Sequence, residues 1–194
     1  TAPTVVITTT SVDTGGSHNG AATMIFTFSE TVTGISDSDF TFNNCDKSGY
    51  SAQSGTVYHQ VCTPTSNGAT VTVGAPASVG TDAAGNNNAV GTDFTFTYDT
   101  TVPTVSTITV TGVTAGSYGT AATYVVIVTA SEQLEDAPTL TVGGGSVGSG
   151  SGSGGGSVTI WTYTLTPDDN DEAVTIDVAA GAITDAAGND NTAA

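Results

Sequence analysis

The 194-residue chain carries 18 acidic residues, no Arg and a single Lys, Lys47, for a formal net charge of −17. Nucleic-acid binding is excluded by that balance, because phosphate contacts need Lys and Arg. A basic membrane-surface helix fails for the same reason, and no apolar run approaches the roughly 18 residues of a membrane-spanning helix. Charged residues are only 10% of the chain, hydrophobic ones 37%, and Thr accounts for 39 positions, mostly beside Val, Ile, Phe or Tyr. Such a composition suits half-buried strands and disfavours helices or disorder. At about 100–200 residues per domain the length allows one or two domains.

In chain order, alternation of apolar and polar residues predicts strands over 4–10, 22–29, 38–43, 55–62, 69–74 and 93–98. Past the segment Asp99-Thr100-Thr101-Val102-Pro103 the pattern restarts, with strands predicted over 104–111, 122–130, 138–142, 158–165 and 173–178. Gly15-Gly16, Asn67-Gly68 and two Ala-Gly-Asn clusters punctuate them as turns. The Gly- and Ser-rich stretch from Gly143 to Gly156 reads as a flexible loop. No Lys or helix follows it, so it is not a phosphate cradle. Six or seven short strands in about 100 residues, with no helical crossovers, point to antiparallel sandwiches with Greek-key connections.

The restart is an internal repeat. Pro3-Thr4-Val5 returns as Pro103-Thr104-Val105, Ala21-Ala22-Thr23 as Ala121-Ala122-Thr123, and Ser29-Glu30 as Ser131-Glu132. Thr81-Asp82-Ala83-Ala84-Gly85-Asn86 returns as Thr184-Asp185-Ala186-Ala187-Gly188-Asn189, and Val71-Thr72-Val73 as Val174-Thr175-Ile176. One module is used twice, as domains 1–100 and 101–194.

These residues carry a resemblance. Phe26-Thr27-Phe28-Ser29-Glu30, the two Asp-Ala-Ala-Gly-Asn loops and the junction Tyr98-Asp99-Thr100-Thr101-Val102-Pro103 make the chain similar to the bacterial immunoglobulin-like tandem repeats of large extracellular adhesins and surface proteins. The resemblance spans nearly the whole chain and implies an all-β fold of two tandem immunoglobulin-like Greek-key sandwiches. It also implies an extracellular or cell-surface setting. One difference stands out: the first copy continues after its Asn cluster with Thr92-Asp93-Phe94-Thr95-Phe96-Thr97-Tyr98-Asp99, and the second has no counterpart within the 194 residues. The second sandwich is thus expected to lack its final strand. Either the strand is the next stretch of a longer array, or a neighbouring chain supplies it by strand addition.

The acidic residues offer calcium ligands, since a hard cation takes about 6–8 oxygens. Strand parity puts the end of the second strand and the loop before the last strand at one pole. Glu132 and Asp185 then face the segment carrying Asp99, a candidate inter-domain calcium site, while Glu30 and Asp82 play the same part toward a preceding module. The alternative for Asp82 and Asp185 is a turn role, binding backbone N–H groups of their own loops. No run matches an EF-hand loop, and the cluster Asp168-Asp169-Asn170-Asp171-Glu172 reads as a solvated turn.

Cys45 and Cys62 are the only cysteines, an even count that in a secreted chain favours a disulfide closing the loop between them. Such a bridge stabilises by about 3 kcal/mol in the chain-entropy model. The matching positions in the second copy are Gly145 and Leu165, which argues against a redox role. His18 and His59 stand alone, no nucleophile elbow lies between a strand and a helix, and Trp161, Tyr163 and Leu165 read as core. The reading is a non-enzymatic structural repeat of an extracellular stalk, adhesin or filament, assembled with neighbouring copies or further repeats. The alternative is a carbohydrate- or surface-binding module taking a glycan or cell-surface ligand.

Overall fold

The computed structural model describes residues 1–113, 123–152, 159–168 and 173–192. The chain divides into two compact units, Thr1–Thr100 and Thr101–Ala194. Among the described residues there is no helix, and every regular element is a strand.

Unit 1 contains β1 (Val5–Thr8), β2 (Ser17–His18), β3 (Ala22–Phe28), β4 (Thr41–Asn43), β5 (Cys45–Ala52), β6 (Val57–Pro64), β7 (Thr70–Gly74) and β8 (Phe94–Tyr98). They form two four-stranded sheets, in the orders β1-β3-β6-β5 and β2-β8-β7-β4. This is the immunoglobulin-like sandwich expected from the sequence: β1 to β5 alternate between the two sheets, β5–β6 and β7–β8 are neighbours within one, and the core lies between the two inner faces. Side chains two apart point the same way in a pleated strand. Ala22, Met24, Phe26 and Phe28 of β3 are therefore buried together, as are Val71, Val73, Phe94 and Phe96 opposite them. Phe26 stacks on Phe40 with ring centroids 3.6 Å apart, and Phe28 meets Tyr58 edge-on at 5.8 Å. The Tyr58 hydroxyl donates to the Val32 carbonyl at 3.0 Å and so ties the loop after β3 to the core.

Two expectations for unit 1 change. The first predicted strand stops at Thr8, and after Gly15 (φ 82°) the chain resumes in the other sheet, where β2 runs parallel to β8. A strand that crosses between sheets without reversing direction necessarily meets its new neighbour in that orientation. The strand predicted over 55–62 is present as β6, but the residues before it, left without a strand by the sequence, form β5, and the two make a hairpin with a register shift between Ser48 and Ser51. Its first strand escapes a periodicity reading because it is an edge strand. Most of Cys45–Ala52 is exposed and carries no apolar alternation.

Unit 2 repeats the plan with β9 (Val105–Thr111), β10 (Tyr124–Ala130), β11 (Thr141–Gly143), β12 (Gly145–Val147), β13 (Ser151–Gly152), β14 (Ile160–Pro167) and β15 (Thr175–Asp177) among the described residues. One sheet has the order β12-β14-β10-β9, with β13 also on β14; the other is the pair β11-β15. Tyr124, Val126, Val128, Tyr163 and Leu165 form its central core, and Ala130, Leu134, Val178 and Ile183 a second cluster. Burial pushes the Tyr163 hydroxyl up to about 12, and it donates to the Pro138 carbonyl.

The Gly- and Ser-rich stretch is a further correction. Gly145–Val147 and Ser151–Gly152 are paired strands, while residues 153–156 lie outside the described set. Gly150 passes so close to Tyr163 that a Cβ there would sit 2.6 Å from the ring. The glycine answers to close packing, not to freedom. Of the acidic cluster 168–172 only Asp168 is described, and its N–H donates to the Gly144 carbonyl at 3.1 Å.

Removing the central ring of unit 1 should be costly, because Phe26 is completely buried and stacked. Phe26→Ala is expected to lower the unfolding free energy of unit 1 by about 3–5 kcal/mol, read from urea denaturation followed by tyrosine fluorescence.

Candidate functional site

The recurring polar residues sit on three connections of each sandwich. The first is the entry to the opening strand. In unit 1 the Thr4 N–H donates to the Ser29 hydroxyl at 3.0 Å and the Ser29 N–H to the Thr4 carbonyl at 2.9 Å. In unit 2 Thr104 and Ser131 repeat both bonds at 2.9 and 2.8 Å. The serine of each Ser-Glu pair is thus a clasp holding the strand entry against the loop after β3 or β10. Glu30 is exposed and Glu132 half-buried.

The second connection is the Asp-Ala-Ala-Gly-Asn turn. Asp82 is 8% exposed and Asp185 2%, and their carboxylates do the same work. Asp82 Oδ1 accepts from the backbone N–H of Ala84 and Asn86 at 2.9 and 2.8 Å, while Oδ2 accepts the Asn86 side-chain amide at 2.8 Å. Asp185 takes the corresponding bonds from Ala187 and Asn189 at 2.9, 2.8 and 2.8 Å. The turn role considered for these residues is therefore present in both units. Three accepted bonds leave room at a carboxylate with about four lone-pair positions. The Asn86 amide, its backbone N–H and that of Ala84 hold the Asp82 carboxyl below its ordinary value of 3.8.

Sequence reasoning missed a third connection. Asn88 and Asn191 are 2% and 5% exposed. Asn88 Oδ1 accepts from the N–H groups of Val79 and Gly80, and its amide donates to the carbonyls of Pro76 and Ala89, at 2.8–3.0 Å. Asn191 bonds Ala182, Ile183, Ala179 and Thr192 in the same pattern. Every polar atom of the side chain is used, so the long loop before β8 is ordered without an apolar cluster of its own. Both residues lie two past the end of the repeated hexapeptide, and that shared offset was the available signal.

Within unit 2 the loop after β10 and the turn before its C-terminal residues meet. Leu134 and Asp185 form an antiparallel bridge, and the Glu135 N–H donates to the Thr184 carbonyl at 3.0 Å. A carboxylate oxygen of Glu132 and one of Asp185 lie within 4.8 Å of each other. In unit 1 Thr33 and Thr81 form the corresponding bridge, so the loops carrying Glu30 and Asp82 also meet. Asp99 lies just past β8, half-buried, with its N–H donating to the His18 carbonyl at 3.1 Å.

Cys45 and Cys62 form a disulfide, with Cα atoms 5.6 Å apart, across the β5–β6 pair. In unit 2 their places are held by Gly145 and Leu165, and a Cβ at Gly145 would lie 3.5 Å from Leu165 Cδ1. A leucine occupies the space that the bridge takes in unit 1.

A family model described as the bacterial Ig-like domain matches residues 1–98 and again 99–194. The chain belongs to the bacterial Ig-like domain family. Two consecutive domains of this family, each with its own capped turn and strand-entry clasp, account for every residue of the chain. A search of the curated proteins finds no match. Domains of this family are structural repeats of surface proteins, generally without enzymatic activity and typical of extracellular settings.

The depressed Asp82 carboxyl makes a pH prediction. A group whose folded value lies below its unfolded one adds stability that is full above the unfolded value and disappears as pH falls through the folded one. Asp82→Asn should therefore lower the urea midpoint of unit 1 by a constant amount from pH 7 to about 4, and the gap to the native chain should shrink below that.

Proposed function

We propose that this chain is a non-enzymatic structural repeat of an extracellular stalk, adhesin or filament. The observation that supports the reading is the duplication of structural hydrogen bonds with almost no change in geometry: the Thr–Ser clasp, the Asp-capped turn and the buried Asn all recur. What is kept between the copies is the frame. The disulfide, the core aromatics and the edge strands differ, as befits modules whose task is to fold alike and stand in series. Neighbouring repeats join by strand complementation, a mode that uses main-chain bonds for affinity.

Calcium stiffens the joints in this reading. Two oxygens bound to one Ca²⁺ at about 2.4 Å each lie no more than about 4.8 Å apart. The Glu132 and Asp185 oxygens meet that limit, and Asp185 retains an acceptor position beyond its three turn bonds. Asp99 precedes Thr104 by five residues, and Thr104 is clasped to Ser131 beside Glu132, so covalent reach favours Asp99 as a third ligand. Glu30 and Asp82 serve the preceding junction in the same way. A net charge of −17 concentrates divalent cations around such a site.

The glycan-binding reading calls for a row of exposed aromatic side chains. The exposed large apolar residues among those described are Val6, Val90, Val102, Val125 and Ile160, all aliphatic. The structural-repeat reading is therefore preferred.

Antibodies raised against the chain should label the outside of intact cells of the source organism; signal only after lysis would end the surface reading. For the metal, millimolar calcium should raise the midpoint of thermal unfolding of the native chain, with the gain lost in Asp99→Asn and in Glu132→Gln. At a hundred times Kd the stabilisation is about 2.7 kcal/mol. Identical melting in calcium and in chelator would remove calcium from the mechanism.

A further inference from the structure

The acidic residues of unit 1 are not spread evenly over its surface. Asp46, on β5, is the only one that lies on a strand; the others sit in the connections. The strands β1, β3 and β6 lie side by side in one sheet and hold no Asp, Glu, Lys or Arg. Their inward side chains build the core. Their outward ones make a surface without formal charge on a chain whose net charge is −17.

The register gives that surface an order. Val6 lies opposite Thr27, and Thr8 opposite Ile25. On the other side of β3, Thr27 lies opposite Val57, Ile25 opposite His59 and Thr23 opposite Val61. Residues two apart along a strand share a face. Aliphatic and polar side chains therefore alternate both along the strands and across them, as on a chequerboard. Val6, on the edge strand, is 60% exposed, while Ile25, Val57 and Val61 are half-buried. The outer face of the other sheet has a different character. On β7 and β8 its outward residues are Thr70, Thr72, Thr95 and Thr97, with no aliphatic side chain among them, so it gains little from leaving water.

Charge and pattern select the occupant. A basic partner would settle on the acidic connections, where its charge is matched. Two copies of this chain repel one another at those connections and can approach through β1, β3 and β6 without bringing carboxylates together. A chequerboard also complements itself: about a two-fold axis, aliphatic positions of one copy meet those of the other and hydroxyls meet hydroxyls. Three strands about 4.8 Å apart and about 20 Å long present only about 300 Å². Stable complexes bury about 800 Å² per partner, so this contact is weak and serves chains already held near one another.

We propose that the outer face of β1, β3 and β6 is a lateral contact site, and that its occupant is the same face of a second copy of this chain. The inference goes beyond the structural-repeat reading and does not rest on it, since two free chains suffice to make the contact.

The test uses the 194-residue chain in chelator, followed by sedimentation equilibrium and by amide shifts across a dilution series. The average mass should rise from monomer toward dimer with a dissociation constant on the order of 1 mM. Within unit 1, the shifts that follow concentration should lie in β1, β3 and β6. Raising NaCl from about 0.05 to about 0.5 M should strengthen the contact, because it screens the acidic connections. Val6→Lys and Ile25→Lys each reduce the net negative charge, yet each should weaken the association read from the unit-1 amides about tenfold by placing a charge in the contact. Val6 is exposed on an edge strand, so its replacement spares the fold. Thr72→Lys makes the same charge change on the other sheet and should leave the association as it is.

A chain that stays monomeric to about 1 mM would overturn the site. So would unit-1 shifts outside these three strands, association that weakens with salt, or a Thr72→Lys effect as large as that of Val6→Lys. Shifts of the same strands on adding phosphatidylcholine vesicles to a chain that remains monomeric would give the face another occupant and also overturn the proposal. Surface labelling of intact cells reports on the structural-repeat reading separately.

Discussion

Phe96 lies opposite Val71 on β7 and is 1% exposed, and closure of the first sandwich depends on that pairing of β8 with β7. A sheet with one apolar face is stable only when a second sheet covers that face. In unit 1 both sheets have four strands, and the inward rows of β3 and β6 are covered along their length. In unit 2 the five-stranded sheet is faced, among the described residues, by β11 and β15. Tyr124 and Tyr163, large side chains with a polar tip, stand where unit 1 has Ala22 and Gln60.

Polar order in this molecule runs almost entirely through carboxylates, amides and hydroxyls bound to backbone groups. With Lys47 as the single basic side chain, ion pairs cannot organise the loops. Lys47 itself donates to the Asp37 carbonyl. The Asp82 and Asp185 carboxylates collect turn N–H groups, and Asn88 and Asn191 tie the two arms of the same loops together. Each bond of the buried Asn88 and Asn191 side chains stabilises by about 1 kcal/mol net. Their chief effect is to keep a long connection at one pole in a single conformation, which is what a module in series requires of its ends.

The disulfide belongs to a different layer of design. It ties an exposed edge strand, β5, to its neighbour β6 in unit 1, and unit 2 omits it in favour of Leu165. The repeated frame does not depend on it. Edge strands gain least from the core and profit most from a covalent tie.

The sequence alone determined what depends on local pattern. Alternation in Ala22–Phe28, Val57–Pro64 and Phe94–Tyr98 was legible because each of these strands is buried on one face, and the repeat offset revealed the tandem organisation and the two Asp-Ala-Ala-Gly-Asn turns, while the clasps made by Ser29 and Ser131 appear only in the structure. The pairing of Cys45 with Cys62 followed from their being the only two. Tertiary structure decided what depends on neighbours distant in the chain. It made strands of Cys45–Ala52 and of parts of the Gly-Ser stretch, because edge strands draw their order from the partner they pair with and show no periodicity of their own. It also turned β2 parallel to β8 and buried Asn88 and Asn191 as loop ties. Such placements reflect how two sheets meet, and no local run of residues encodes that meeting.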